Sequence, residues 1–268
     1  MAFSSAQLMP MVIQGLYDHQ ALYNLMNRSF DGLAKGGKQT SIDIPKNPQL
    51  VVSTAAVAKD SASRKKTKDD TGMVNIPFSV YTVPISDQIE GEFATNGMLL
   101  DNFIKDSTEV LGEAFDAAVI AAAQATSKVI NWATGVLQWE DITALMQEAT
   151  TNKIPKRGRV IVIPGSREAQ FLNLDIVKAA MAYNKDYMET GIAKVNGITF
   201  YVSNNVAKVG GKDNMVLIYG QGLAFVLKRY MERKDAYDTG TRQTDIDYNS
   251  YAACKLLRDE YAIVSKAA

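Results

Sequence analysis

One cysteine and one histidine in 268 residues leave most site chemistry without its raw materials. Cys254 has no internal partner for a disulfide, which suits a reducing compartment. Flanked by Ala252, Ala253 and Leu256, it reads as a small core residue. With no Cys/His cluster, the usual structural zinc arrangements are excluded. His19 is the sole imidazole, so any Ser/His/Asp or Cys/His catalysis would have to use it. It falls on a helical stripe with Val12, Leu16 and Tyr23, where packing is its expected role. No charge of either sign is in excess, since 29 Lys and Arg face 29 Asp and Glu. The chain therefore lacks a global positive field to hold nucleic acid or an anionic membrane surface. No apolar run approaches the roughly 20 residues that cross a bilayer. The start MAFSSAQLMP lacks the basic region and cleavage site of a signal peptide, so a soluble, unsecreted chain is expected.

An ordinary globular composition remains, 47% apolar and 22% charged, on a chain sized for one large domain or two closely joined ones. Ser4 or Ser5 can cap a first helix whose stripe runs Val12, Leu16, His19, Tyr23, Met26, with Gly36 and Gly37 as its stop. Strand periodicity follows. Ile42, Ile44, Leu50 and Val52 share one parity, and after a polar stretch so do Val74, Ile76, Phe78 and Val80. Four of the seven prolines, Pro45, Pro48, Pro77 and Pro84, fall in these two segments. Proline is tolerated in strands chiefly where an edge is unpaired, so the segments read as an isolated two-stranded ribbon.

Arms over residues 41–56 and 73–88 would each span roughly 50 Å at about 3.3 Å per residue. A globule of this chain length has a radius of gyration near ~18 Å, hence a diameter of about 45 to 50 Å. A ribbon as long as the body cannot be buried on it, and an isolated hairpin is marginal in water. The ribbon is expected to need another molecule. Between its arms lies KDSASRKKTKDD, with Lys59, Arg64, Lys65, Lys66 and Lys68 against Asp60, Asp69 and Asp70. Tight nucleic-acid binding takes about six to ten phosphate contacts, and no aromatic residue here can stack on a base. Two readings stand: attraction to an acidic patch on a neighbouring protein, or a solvated loop tip.

Beyond the ribbon, Met98, Leu99, Phe103, Val110, Leu111, Ala114, Phe115, Ala118 and Val119 trace one face of a single long helix over about 97–125. WEDITALMQEATTNKIP reads as a helix opened by Glu140 and Asp141 and stopped by Pro155. The run RVIVIP is a buried strand, residues 167–174 look helical, and Asn196-Gly197 marks a hairpin turn. Residues 215–219 and 223–227 read as strands about Gly220-Gln221-Gly222. YMERKDAYD adds another, followed by a polar turn and the closing strands YAACKLL and YAIVS, with the C-terminus returning near the long helix. No internal repeat appears.

Catalytic motifs are sparse. Gly32, Gly37 and Lys38 fit the frame of a phosphate-binding loop, but Gln39 stands where Ser or Thr should hold magnesium. The loop also follows a helix and leads into a strand, the reverse of a nucleotide site. Asp238-Thr239-Gly240 resembles one half of an aspartic-protease pair, yet the chemistry needs two carboxylates sharing a proton; turn chemistry accounts for it. Asp245 and Asp247 form a lone DxD, read as a solvated turn rather than a cation site. An NTPase or an aspartic protease is thus the weaker functional class, and no cofactor or metal is implied.

Taken as longer stretches, three segments resemble a known family. WEDITALMQEATTNKIPKRGRVIVIPGS, GITFYVSNNV and the tail from Arg242 through YNSYAACKLLRDEYAIV are similar to segments of the major capsid proteins of tailed bacteriophages, of HK97-type fold. The resemblance implies an α+β architecture with residues 1–35 as N-terminal arm and 36–90 as extended β-hairpin loop. It assigns 91–130 and 223–268 to a peripheral domain with a long spine helix, and 131–222 to an axial domain. It further implies a non-enzymatic virion protein, assembled in the host bacterial cytoplasm into pentamers and hexamers of an icosahedral head around double-stranded DNA. Implied partners are identical copies, a portal, scaffolding or cement proteins, and DNA held non-specifically, with no membrane. The loop tip, Lys59, Arg64, Lys65, Lys66, Lys68, Asp69 and Asp70, is the implied inter-subunit contact. Some members carry a removable scaffolding segment of about a hundred residues, for which this chain has no room, so a separate scaffolding protein or none is expected. An encapsulin-like nanocompartment shell is the alternative on the same fold.

Overall fold

The computed structural model describes residues 21–34, 40–45, 73–86, 97–183, 193–195, 198–228, 232–238 and 243–267. His19, Gly36, Gly37, Lys38 and the loop-tip residues 59–70 lie outside these. Two sheets and one long helix, α1 (Gly97–Gln124), organise the molecule. The larger sheet has the order β4 (Val129–Asn131), β12 (Ala262–Lys266), β8 (Asn214–Tyr219), β5 (Arg159–Pro164), β7 (Ile198–Ser203), β6 (Ala193–Val195). β5 is buried along its whole length, as a strand covered on both faces must be, and its sequence RVIVIP is accordingly a continuous apolar run.

Alternation assigns the two faces. Val160 and Val162 of β5, with Val216 and Ile218 of β8, join Phe115, Val119 and Ile120 of α1 in one core. Ile161, Ile163, Met215 and Leu217 point the other way, onto α2 (Trp139–Thr151), α3 (Glu168–Leu172) and α4 (Asp175–Tyr183), through Ile142, Leu145, Phe171 and Val177. α2 starts where expected: Asp141 Oδ2 accepts the Gln138 N–H at 3.0 Å, closing the first turn, and Oδ1 accepts from Ala133 N–H at 3.0 Å. At its other end buried Arg159 turns its guanidinium on backbone carbonyls, donating to Met146 O at 3.4 Å, Pro155 O at 3.1 Å and, more closely, Ile154 O. The guanidinium thus sits by the C-terminal turn of α2, at the negative end of the helix dipole.

The second sheet has the order β10 (Glu232–Asp238), β11 (Gln243–Leu256), β3 (Ser79–Ser86), with β9 (Leu223–Leu227) also on β11. The expected polar turn at Asp245 and Asp247 is instead strand: β11 begins at Gln243, and these residues pair with Ala236 and Lys234 of β10. Both aspartates fall on one face of β11 by parity, and among the described residues no group of acidic, His or Cys side chains could hold a metal. β10 and β11 close on each other at Asp238↔Gln243, so Asp238 opens a hairpin connection rather than a catalytic loop.

The first helix also differs from expectation in its second half. Leu22–Leu25 and Asp31–Leu33 are 3-10 turns, and between them Met26 is extended and Asn27 forms a bridge to Ala224 of β9 before a turn at Ser29–Phe30. Asn27 N–H donates to Leu223 O at 3.1 Å and its carbonyl accepts from Phe225 N–H at 3.1 Å; beyond, Asp31 Oδ1 accepts from Leu227 N–H at 3.0 Å. Tyr23 and Met26 are buried as the helical stripe required, but on a strap along the edge of β9. Edge satisfaction outweighs helix propensity here, because unpaired strand groups would otherwise be buried.

Gly222 joins β8 to β9 beneath Tyr261. A Cβ there would come within 2.4 Å of the Tyr261 ring, which itself packs on Tyr219 at 5.3 Å between centroids. Gly222→Ala is therefore expected to destabilise by about 1 to 3 kcal/mol, the cost of overpacking, read as a lower urea midpoint at unchanged slope.

Candidate assembly surface

β1 (Ser41–Pro45) and β2 (Met73–Pro77) pair antiparallel from Ser41↔Pro77 to Pro45↔Met73. One face is apolar and inward, where Ile42, Ile44 and Ile76 are buried against Ala224, Val226, Ala253 and Leu257. The outward face is polar, with Asn75 Nδ2 donating to Asp43 Oδ1 at 2.7 Å and to Ser41 Oγ at 3.0 Å. Met73, at the outer end, is 67% exposed.

This corrects the isolated ribbon at its lower half. β1 and β2 rest on the face of the second sheet opposite α1, and β3 does not continue the ribbon but pairs with β11 from Ser79↔Ala252 to Ser86↔Asp245. The prolines fit this arrangement: Pro77 ends β2, Pro45 ends β1, and Pro84 lies in β3, which among the described residues pairs on one side only. Residues 46–72 join the two paired ends, and this stretch, with Lys59, Arg64, Lys65, Lys66, Lys68, Asp69 and Asp70 in it, lies outside the described residues.

Gly32 stands in the 3-10 turn Asp31–Leu33, and the next described element is strand β1. The order is opposite to the strand, loop and helix of a phosphate site. Cys254 is partly buried and packs beside the main core, and burial pushes its thiol up to about 12. A thiol held that far up is protonated at neutral pH and a poor nucleophile.

Two features that the sequence reading missed position the body of the subunit. Asp116, on the buried face of α1, accepts Leu22 N–H at 3.2 Å, Tyr23 N–H at 2.8 Å and the Tyr201 hydroxyl at 2.7 Å. It ties the strap and the larger sheet to the long helix. The signal was present in EAFDAAVIAA: a carboxylate beside Phe115 and one turn before Val119 has to be buried, and a buried carboxylate has to be bonded. The second is a bracket at the end of the larger sheet, where Arg167 Nε donates to Asp213 Oδ2 at 2.7 Å and Nη1 to Gly135 O at 3.0 Å. Desolvation alone would raise the Asp213 carboxyl, but the bond and charge of Arg167 hold it below its ordinary value. Among the described residues no helix is long and apolar enough to cross a membrane.

No family model matches the sequence, and no curated protein sequence does. Solved structures do. A chain from Mycobacterium phage Che8 superposes with a TM-score of 0.61 at 15% identity, over 92% of this chain and 91% of that one. The capsid of a native GTA particle gives 0.59 at 9% identity, over 87% and 86%. The holo-SrpI encapsulin complex from Synechococcus elongatus gives 0.53 at 11%, over 87% and 83%. Likeness along nearly the whole length of each chain, with so little sequence in common, fixes the architecture: the chain has the HK97-like capsid fold.

Proposed function

We propose that this chain is a structural major capsid protein whose copies form the pentamers and hexamers of an icosahedral phage head around double-stranded DNA. What supports the reading above all is the fold itself, together with the strand pair β1–β2, whose apolar face is already seated on the body where residues 46–72 of the sequence join its two ends. In this reading the apolar Leu50-Val51-Val52 and the charged Lys59 to Asp70 make their contacts on a neighbouring copy. Symmetric self-assembly gives every copy the same acceptor for the same donor.

In this reading residues 1–35 are the arm, 36–90 the extended loop, 91–130 and 223–268 the peripheral domain, and 131–222 the axial domain. β4 and β12 tie the last two together, since they complete the sheet of β5, β7 and β8. Lys59, Arg64, Lys65, Lys66, Lys68, Asp69 and Asp70 meet a neighbouring copy. A portal, scaffolding or cement proteins and non-specifically held DNA are the further partners, the virion is the final location after assembly in the host cytoplasm, and no turnover is involved. An encapsulin-like shell is the second reading, favoured by the likeness to the SrpI complex.

Electron microscopy of the purified protein tests both. Closed shells or capsomers are expected, and a species that stays monomeric at high concentration overturns the proposal. Deleting residues 59–70 is expected to abolish shells while leaving circular dichroism nearly unchanged. Loss of the monomer fold would place the segment in the core instead. Shells made in the native host that contain an enzyme rather than DNA would select the second reading.

A further inference from the structure

Three cations stand together at one end of the larger sheet with no anion to neutralise them. Lys153, Lys156 and Arg157 lie in the connection from α2 to β5, and all three are exposed. The connection turns sharply, since Lys153 and Gly158 both take left-handed conformations, with φ of 57° and 86°. Its nearest charged neighbours in the chain are engaged elsewhere: Glu148 Oε1 accepts from Asn152 Nδ2 at 3.0 Å, and Arg159 is buried with its guanidinium on backbone carbonyls.

The solvent side of α1 carries the opposite charge. Asp106, Glu109, Val110 and Glu113, spaced i, i+3, i+4 and i+7, share one helical face, and all four are exposed, Val110 by 61%. Like charges at these spacings repel. Lys105, exposed and four residues before Glu109, makes no ion pair with it. Among the described residues none of the three acids and none of the three cations is in an ion pair. A solvated surface ordinarily intersperses the two signs, so each patch leaves repulsion unrelieved in a lone subunit.

The two patches match in more than sign. Each sets three like charges about one exposed apolar residue, Val110 on the helix and Pro155 on the loop, an apolar centre inside a charged rim. Asp106 to Glu113 covers about 10 Å of helix, and the four steps from Lys153 to Arg157 reach at most about 14 Å. Within one chain the larger sheet stands between them, because α1 packs on one of its faces and α2, which leads into the loop, on the other.

We infer that the α2–β5 loop of one copy seats on the α1 face of the next, with Lys153, Lys156 and Arg157 against Asp106, Glu109 and Glu113, and Pro155 on Val110. Lys105 at the edge of the face leaves three cations facing a net charge of minus two. Each copy carries both halves, so the contact is head-to-tail and closes into a ring when its rotation does. The inference rests on the reading that copies assemble, and it adds a contact separate from that of residues 59–70.

Charge exchange in the full chain provides the test, with shells and capsomers measured by sedimentation and electron microscopy and folding by circular dichroism. Lys153→Glu, Lys156→Glu and Arg157→Glu together, or Asp106→Lys, Glu109→Lys and Glu113→Lys together, are each expected to lower the yield about tenfold, and all six to restore it to within about threefold of wild type. Joining the loop triple to Glu140→Lys, Glu168→Lys and Asp175→Lys, at exposed acids elsewhere, restores the net charge but is expected to restore no shells. Should a triple variant unfold, the single exchanges Lys156→Glu and Glu109→Lys and their pair give the same pattern at smaller amplitude. Wild-type protein that stays monomeric overturns the assembly reading and this contact with it. Wild-type shells without rescue by the six exchanges, or with equal rescue by both combinations, overturn the contact alone. Normal shells from the loop triple that hold less DNA would assign the loop to nucleic acid and overturn it as well.

Discussion

Phe115→Ala is expected to cost about 3 to 5 kcal/mol, the range for deleting a fully buried phenylalanine, and to lower the melting temperature by roughly 6 to 20 °C. The residue is 0% exposed. Its ring meets three others from three different parts of the chain: Tyr23 of the strap at 5.5 Å, Tyr81 of β3 at 4.9 Å and Phe225 of β9 at 5.5 Å between centroids. Two of these contacts are edge-on, the arrangement that the ring quadrupole favours. The side chain is therefore a place where α1, the strap and the second sheet are all in contact through aromatic surface. A cavity there cannot be closed by moving one element without opening the others, which puts the cost at the upper end. Phe115→Leu keeps most of the volume and should cost less than half as much. Equal losses for the two variants in thermal unfolding would mean that the site collapses freely and that the aromatic contacts contribute little.

Such convergence was beyond reach in the sequence, whereas the elements that converge were legible. Periodicity gave α1 to within a residue of its C-terminal end, and the apolar run at Arg159–Pro164 and the Asn-Gly signal placed β5 and the β6–β7 pair. These are strong local patterns, and local patterns are set by which faces are buried. Failures came where a distant segment decided. The stripe through Tyr23 and Met26 has helical spacing, but the edge of β9 draws Asn27 into pairing. Polar Asp245 and Asp247 look like a turn, yet β10 and β3 on either side make them the middle layer of a sheet. The ribbon was read from two strands of matching parity, and its lower half does pair in register. Only the buried face of Ile42, Ile44 and Ile76 reveals that it is seated on β9 and β11. The tip residues from Lys59 to Asp70 offered charge without partners, and charge alone names no contact.

Asp116→Ala should rival the loss of Phe115, by a different physical route. The carboxylate is 3% exposed and accepts from Leu22 N–H, Tyr23 N–H and the Tyr201 hydroxyl. Removing an acceptor from a buried N–H costs about 1 to 3 kcal/mol for each group left unsatisfied. The two strap amides cannot turn away, because Leu22 and Tyr23 are themselves buried in the core. Tyr201 is only partly buried, so its hydroxyl can find water. Two orphaned amides put the expected loss at about 2 to 6 kcal/mol. The substitution also relieves the desolvation of a charge, and that opposes the loss. Asp116→Asn separates the two terms. It keeps a carbonyl oxygen for one amide, presents an N–H to the other, and removes the charge. If hydrogen bonding dominates, Asn should lie between wild type and Ala, and amide exchange of Leu22 and Tyr23 should accelerate in the same order while that of Ile161 and Val162 in β5 stays at the global rate. If Asn equals or exceeds wild type in stability, charge burial outweighs the bonds, and Asp116 is retained for fixing where the strap leaves the helix rather than for how tightly it holds.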